Sequence, residues 1–426
     1  VTPPGPQDSL EARFAQSLGQ LLGPDFPNEI GLAVSGGGDS MAMLGLAYNW
    51  ARAWGVGLRV VTVDHGLRPE SAAEAAMVAG ECALLGLGHD TLNWTWDGTG
   101  NVQDAARRAR VLLIEGWRGT IAHVLMAHTQ DDLAETFLLR LARGSGVEGL
   151  SAMAASRFVA TPDRPGVGYH ILRPCLQMRR ADLRHYATTL KLPFVDDPSN
   201  ADPRFDRVKM RQALPRLEAL GLSVETLTQT AHRLERARGA LSARLRDVAG
   251  HVAEQSAAGG VTLNRDRFQT IEQDTQLRLL AAACMWVSGA EYRPRATALE
   301  ALLDRILSGG GGTLIGVQCA TTPRSCHIFR EYDAIKSLAA PVQTGALWDG
   351  RWTIDGPARD GDQMRPLGEA IGQCPNWRDT GLARASLLAS PSIWRDNDLI
   401  AAPVAGWSAG WTAQIDPSFT TYLLSH

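Results

Sequence analysis

The sequence predicts an α/β chain: a doubly wound, parallel, five-stranded sheet, then a helical connector and smaller C-terminal α+β domains. Three observations carry that expectation. Short apolar runs alternate with helix-length stretches between residues 30 and 190. Polar clusters fall just beyond three of those runs, at Ser35–Ser40, Asp64-His65 and His128–Asp132, and in a parallel sheet such ends open onto one crevice. Residues 345–426 instead carry Trp348, Trp352, Trp377, Trp394, Trp407 and Trp411 among short apolar runs and turn residues, the pattern of a small β-rich domain.

Taken in order, residues 1–7 are Pro-rich and expected to be disordered, and residues 8–22 place Leu10, Phe14, Leu18, Leu21 and Leu22 at helical spacing. Ile30–Val34 reads as a buried strand that breaks into glycines and then a helix with Met41, Leu44 and Ala47 on one side. Leu58–Val63 is the second strand, and Pro69 with an acidic first turn starts a helix running to Leu85. A third strand is expected at Thr91–Trp96, then a helix carrying Ala105, Ala109, Leu112 and Leu113. His123–His128 forms the fourth strand and leads into a helix ending near Arg143. His170–Pro174 is the fifth, before a helix near Arg179–Leu190. One long helical pattern spans Ala213 to Val248, and helices at Thr275–Val287 and Ala296–Leu307 precede the break Gly309–Gly312 and strands near Thr313–Val317 and Cys326–Tyr332. The expected domains are therefore 1–215, 216–340 and 341–426.

Composition narrows the function classes. A net charge of −3 argues against a generic nucleic-acid coat. Residues 173–246 nonetheless hold fifteen Lys and Arg against eight Asp and Glu, a local excess that suits a specific RNA partner or a solvated helical face. No apolar stretch approaches the length of a membrane span. Six scattered cysteines without a Cys-x-x-Cys pair indicate neither a disulfide framework nor a metal cluster. A cytoplasmic protein is expected.

Chemistry concentrates in Ser35-Gly36-Gly37-Gly38-Asp39-Ser40. A glycine turn between strand and helix bares backbone N–H groups, and the positive end of the helix dipole lies behind them, so the geometry suits phosphate. Asp39 repels phosphate unless a divalent cation intervenes, which points to a metal–nucleotide complex. No Gly-Lys-Ser/Thr follows, so the loop is not a Walker A motif. The hexapeptide resembles instead the pyrophosphatase loop of ATP pyrophosphatases, which cleave ATP between the α and β phosphates.

Further clusters lie along the same sheet. Asp132 and Glu135 stand at i, i+3 on one helix face, with His128 just before them. Such acids often only complement a helix dipole, yet beside a nucleotide loop they suit a substrate amine or a metal. Asp196–Asp202 precedes the basic residues Arg204, Arg207, Lys209 and Arg211, which suit a polyphosphate or RNA backbone. Asn101, Arg107, Arg108 and Arg110 open another basic helix face. Two motif matches fail on context: Gly144–Gly149 follows a helix rather than a strand, and no helix follows Ser408 in Gly406–Gly410.

In order, Ala33–Ser40, Val63–Glu70, Gly100–Gln103, Ala127–Thr136, Arg140–Leu150, Leu172–Pro174 and Asp197–Arg211 together resemble the tRNA(Ile)-lysidine synthetase family, within the PP-loop superfamily of adenine nucleotide alpha hydrolase-like fold. The resemblance covers residues 30–215 and is weak beyond residue 220. It implies an ATP-dependent ligase. Cytidine 34 of tRNA(Ile) with a CAU anticodon would be adenylated at its C2 oxygen, then L-lysine would displace AMP to give lysidine. Carried to this chain, Ser35, Gly36, Gly37, Gly38, Asp39, Ser40, Asp64, His65 and His128 would bind ATP. Asp39, Asp132, Glu135 and Arg207 would be catalytic, and Asp132 with Glu135 would cradle lysine. Asn101, Arg107, Arg110, Arg207 and Arg211 would contact phosphate or tRNA. A PP-loop tRNA sulfur transferase is the alternative, disfavoured by the missing cysteine pair. Oligomeric state stays open, a homodimer included.

Overall fold

The computed structural model describes residues 9–161, 164–196, 202–343 and 347–425. The Pro-rich start and Asp197–Ala201 of the acid turn lie outside the described residues. The chain divides into two compact units, 1–162 with 166–238, and 163–165 with 239–426.

The first unit runs α1 (Leu10–Leu22), β1 (Glu29–Ala33), α2 (Gly38–Trp54), β2 (Gly57–Asp64), α3 (Ser71–Leu85), β3 (Gly88–Asn93), α4 (Val102–Trp117), β4 (His123–Met126) and α5 (Gln130–Ala142). It continues through α6 (Val147–Leu150), β5 (Ser156–Thr161), β6 (Arg164–Leu172), α7 (Arg180–Thr189), α8 (Asp206–Glu218) and α9 (Val224–Val252), the last crossing the unit boundary. The sheet order is β3-β2-β1-β4-β6-β5. The pairings β2–β3, β1–β2, β1–β4 and β4–β6 are all parallel. These are the five expected parallel strands. A sixth, β5, sits beside β6 at the edge.

Alternation along the strands explains why both faces are covered. Ile30 and Leu32 of β1 pack with Met41, Leu44, Phe14, Val78 and Leu183 on one side. Val124, Met126, Tyr169 and Ile171 pack with Ile114 of α4 on the other. Each such fully buried side chain contributes about 1.5–3 kcal/mol. Helix α2 lies close to α7 and the segment after it because Gly45 has no Cβ; one built there would lie 3.4 Å from Tyr186 of α7 and 3.0 Å from Leu192. A third cluster joins Leu133 and Phe137 of α5 to Leu214 of α8 and Leu227 and Ala231 of α9.

Three boundaries differ from expectation. β3 covers Gly88–Asn93 rather than Thr91–Trp96, in register with β2 through Val63↔Leu92. β6 begins six residues earlier than His170, at Arg164. The long pattern from Ala213 to Val248 is two helices, because Gly221 takes φ +87° between α8 and α9.

The second unit holds a five-stranded antiparallel sheet built from Ala253–Gln255, Val261–Asn264, Ser325–Arg330, Val317–Thr321 and Gly312–Leu314. It packs on the helices Gln273–Ser288 and Ala296–Leu307. A four-stranded and a three-stranded sheet follow, with Trp348, Trp352 and Trp411 in one core. No helix among the described residues is long and apolar enough to cross a membrane.

Candidate active site

The glycine loop joins the C-terminal end of β1 to the N-terminus of α2. Gly36 adopts φ +84°, a left-handed conformation that side chains resist. Its carbonyl accepts a hydrogen bond from the Val195 amide at 3.0 Å, tying the loop to the segment after α7. Ser40 Oγ donates to the Gly37 carbonyl at 2.9 Å and accepts from the Ser35 amide at 3.2 Å. With its proton committed there, Ser40 takes the proton of Ser35 Oγ across 3.2 Å. Gly37 caps α2 without a side chain, so the first N–H groups of the helix remain donors for an anion.

The acid arm is the first turn of α5. Thr129 and Asp132 form a capping box: Thr129 Oγ1 accepts from the Asp132 amide at 3.2 Å, and Asp132 Oδ2 accepts from the Thr129 amide at 2.8 Å. Asp132 Oδ1 is thereby turned away from the cap. Glu135, one turn on, is fully buried. It accepts from Arg180 Nη1 at 2.8 Å and Arg211 Nε at 2.9 Å, and Arg207 Nε lies 3.6 Å away.

Helix α7 supplies what joins the two arms. Arg180 donates from Nε to Asp39 Oδ2 at 3.1 Å, from Nη2 to Asp132 Oδ1 at 3.0 Å and from Nη1 to Glu135. Burial weighs against the Arg180 charge, but Asp132, Glu135 and Asp39 around it outweigh burial and raise its pKa. One turn later Arg184 packs against the loop, its Cγ and Nε 3.3 Å from where a Gly38 Cβ would stand, and it pairs with Asp196. Sequence reasoning missed both arginines. A signal was available: arginine at the first position of a helix opposes the dipole, so carboxylates must hold it there.

The loop, Asp132, Arg180, Arg184, Arg207 and Arg211 line one cavity of about 460 Å³, together with His65, Arg110 and His128. Three polar atoms on residues that line it, Asp39 Oδ1, His65 Nδ1 and His128 Nδ1, are buried without a hydrogen-bond partner among the described residues, a condition that asks for a polar ligand. Burial pushes the Asp39 carboxyl up to about 6 despite Arg180 beside it. Burial, reinforced by the Arg110 charge, lowers His65 to about 4, and burial lowers His128 to about 4 although Asp132 opposes the shift. Both imidazoles are therefore neutral at pH 7. Arg110 Nη2 donates to His65 Nε2 at 3.3 Å, which leaves the His65 proton on the orphaned Nδ1.

The expected residues thus separate into groups. Ser35, Gly37, Gly38, Asp39, Ser40, His65, Arg110, His128, Asp132, Arg207 and Arg211 share the cavity. Gly36 and Glu135 support it from behind. Asp64 instead accepts the Gly66 amide at 2.8 Å, and Asn101 caps α4 through the Gln103 and Asp104 amides at 3.0 and 3.2 Å. Arg107 is exposed on α4, its charge felt by Arg110, Arg140 and Arg173.

Comparison with known proteins agrees with this geometry. Residues 10–218 match the PP-loop domain family, an ATP-binding domain. Over 99% of both chains the protein is 44% identical to a tRNA(Ile)-lysidine synthase of Ruegeria pomeroyi. The chain belongs to the tRNA(Ile)-lysidine synthase family. Other family members include that of Wolbachia pipientis wMel, 32% identical over 89% of each chain, and that of Rhodopseudomonas palustris, 42% identical over 65% of this chain and 79% of its own. The lysidine synthase relatives span the second unit as well as the cavity, so the kinship extends past the residues whose motifs carried the resemblance.

Proposed function

We propose that this chain ligates L-lysine to C2 of cytidine 34 in the CAU anticodon of tRNA(Ile), converting ATP to AMP and pyrophosphate. The observation that carries the reading is the single cavity in which a phosphate-type loop and an acid turn meet across Arg180, in a chain akin end to end to lysidine synthases.

The chemistry follows from the arrangement. ATP lies with its phosphates against the loop amides and the α2 N-terminus, where Ser35 and the helix dipole orient the α-phosphate. The C2 oxygen of cytidine attacks that phosphorus, the bond to the bridging oxygen breaks, and pyrophosphate leaves with the electron pair. A lysine ε-ammonium is drawn toward Asp132 on the acid side of the cavity, with Glu135 buried behind it among three arginines; the amine gives up a proton to solvent and attacks C2. The C2–O bond then breaks and AMP departs. Arg207 and Arg211, on the side facing Glu135, are placed for the phosphate charge that develops. His65, Arg110 and His128 bound the nucleotide pocket, and the basic face of α4 with Arg107 meets the anticodon stem. An unpaired loop presents the edge of the base.

The residues fit a divalent cation. Asp39 Oδ1 is buried and without a hydrogen-bond partner. Among the described residues no three His, Cys, Asp or Glu side chains form a cage, so the fit is to Mg²⁺ shared between one carboxylate and phosphate oxygens, its usual habit on nucleotides. Mg²⁺ held by Asp39 would neutralise polyphosphate charge.

We assign residues 216–340 to a connector and middle tRNA-binding domain, 341–426 to a small C-terminal domain, and the chain to the cytoplasm; six free, buried cysteines support that compartment. The test is incubation with α-labelled ATP, a tRNA(Ile) transcript and lysine. AMP formation that requires both tRNA and lysine is expected. AMP formation driven by a sulfide donor instead would overturn the reading.

A further inference from the structure

We infer that Arg180 is the positioning residue of the reaction: one guanidinium on α7 holds the loop carboxylate and the α5 carboxylates in a fixed relation and selects which Asp39 oxygen faces the nucleotide. The inference rests on the ATP-loop reading above.

Each Arg180 donor group serves a different carboxylate, Nε to Asp39, Nη2 to Asp132 and Nη1 to Glu135, at 3.1, 3.0 and 2.8 Å. These acids come from two elements more than ninety residues apart, β1–α2 and α5, and without a cation between them their like charges would drive the two arms apart. A planar fork reaches three acceptors at once, which a single ammonium on a flexible stem does not reproduce. The guanidinium is itself anchored. The Arg180 amide donates to Asp131 Oδ2 at 2.7 Å, and the preceding Arg179 pairs with Asp131 at 3.5 Å and with Glu225. Backbone and side chain are thus tied to the same turn of α5.

The consequence lies in the oxygens. Asp132 gives Oδ2 to the Thr129 cap and Oδ1 to Arg180. Glu135 is engaged by Arg180, Arg211 and Arg207. Asp39 gives Oδ2 to Arg180, and among the described residues its Oδ1 alone in this acid group is buried without a partner. Arg180 therefore leaves one carboxylate oxygen without a hydrogen bond among the described residues, on a loop residue that lines the cavity. A misplacement of about 1 Å there is enough to cost about 100-fold in rate.

The test uses the full chain with Arg180→Ala and Arg180→Lys, measuring lysine-independent pyrophosphate release from ATP and tRNA(Ile) transcript, with kcat and the KM for ATP separated. Both variants are expected to lose about 100-fold in kcat with the KM for ATP changed only a few-fold, as for a group that orients rather than binds. Methylguanidinium below denaturing concentration is expected to restore turnover in Arg180→Ala and not in Arg180→Lys, where the lysine stem fills the space. An Arg180→Lys enzyme turning over at the wild-type rate would overturn the inference, as would a folded Arg180→Ala enzyme indifferent to methylguanidinium. If Arg180→Ala does not fold, the kcat of Arg180→Lys decides alone. A wild-type chain that releases no pyrophosphate would instead refute the functional reading, and the inference with it.

Discussion

Asp39 gives one carboxylate oxygen to Arg180, 3.1 Å from Nε, and keeps the other buried with no hydrogen-bond partner among the described residues. A carboxylate buried this way is a cost to the fold that only a ligand offsets. Asp39→Asn is therefore expected to leave the thermal midpoint unchanged or higher while lowering pyrophosphate release by at least about 100-fold, with tRNA binding kept. Calorimetry beside a turnover assay checks both halves. A variant that is less stable and still active would remove Asp39 from the chemistry.

Thr129 orients Asp132 through the capping box at the start of α5. Thr129→Ala removes the cap and is expected to cost about 1–2 kcal/mol in stability. Asp132 Oδ2 keeps the residue-129 amide but loses the Thr129 hydroxyl that donates to it at 2.8 Å, so Oδ1 is held less firmly toward Arg180 and the lysine-dependent step should slow as well. Denaturant unfolding and lysine titration measure the two effects separately; Thr129→Ser should restore both.

Gly36 holds φ +84° while its carbonyl bonds Val195. Gly36→Ala forces a Cβ into the left-handed region, at a cost of about 1–2 kcal/mol, and a relaxed loop would misplace the amides that meet phosphate. The expected readout is a raised KM for ATP with little change in tRNA affinity. An unaltered KM would show that the loop tolerates the substitution.

His65 sits at about 4, below its ordinary value, because burial and Arg110 disfavour its charge. The unfolded chain binds a proton there near pH 6.5 and the folded chain does not until about 4, so this contribution to stability is present above 6.5 and is lost as pH falls toward 4. Urea midpoints at pH 7 and pH 5 should fall less in His65→Gln than in the wild type. Equal losses would place the His65 side chain in a more solvated setting than described.

The sequence reported the first unit well because its signals are local. The strand–glycine–helix succession at Ile30–Trp54 needs only adjacent residues, and Thr129 to Glu135 announces a capped helix. Parallel order followed from alternation, and the strand ends then had to share a crevice. What stayed hidden depended on long-range contact. Arg180 and Arg184 passed unremarked within the helix near Arg179–Leu190, since the carboxylates that hold Arg180 lie up to 141 residues away. Glu135 read as an open cradle, whereas three arginines from α7 and α8 already surround it. Asn101 and Asp64 read as ligands, and each also gives one oxygen to the amides of its own turn, a local role that residue type alone did not announce. The edge strand β5 was missed because Ser156–Thr161 is largely exposed and lacks a clean alternation.

The most direct measurement follows the α-phosphorus of ATP. With tRNA(Ile) transcript and no lysine, label from α-³²P-ATP should become attached to the RNA at cytidine 34 as pyrophosphate is released, and added lysine should chase it into AMP while lysidine forms. Label that never enters the RNA, or enters equally when position 34 is changed to uridine, would contradict a cavity that activates the base before the amine arrives.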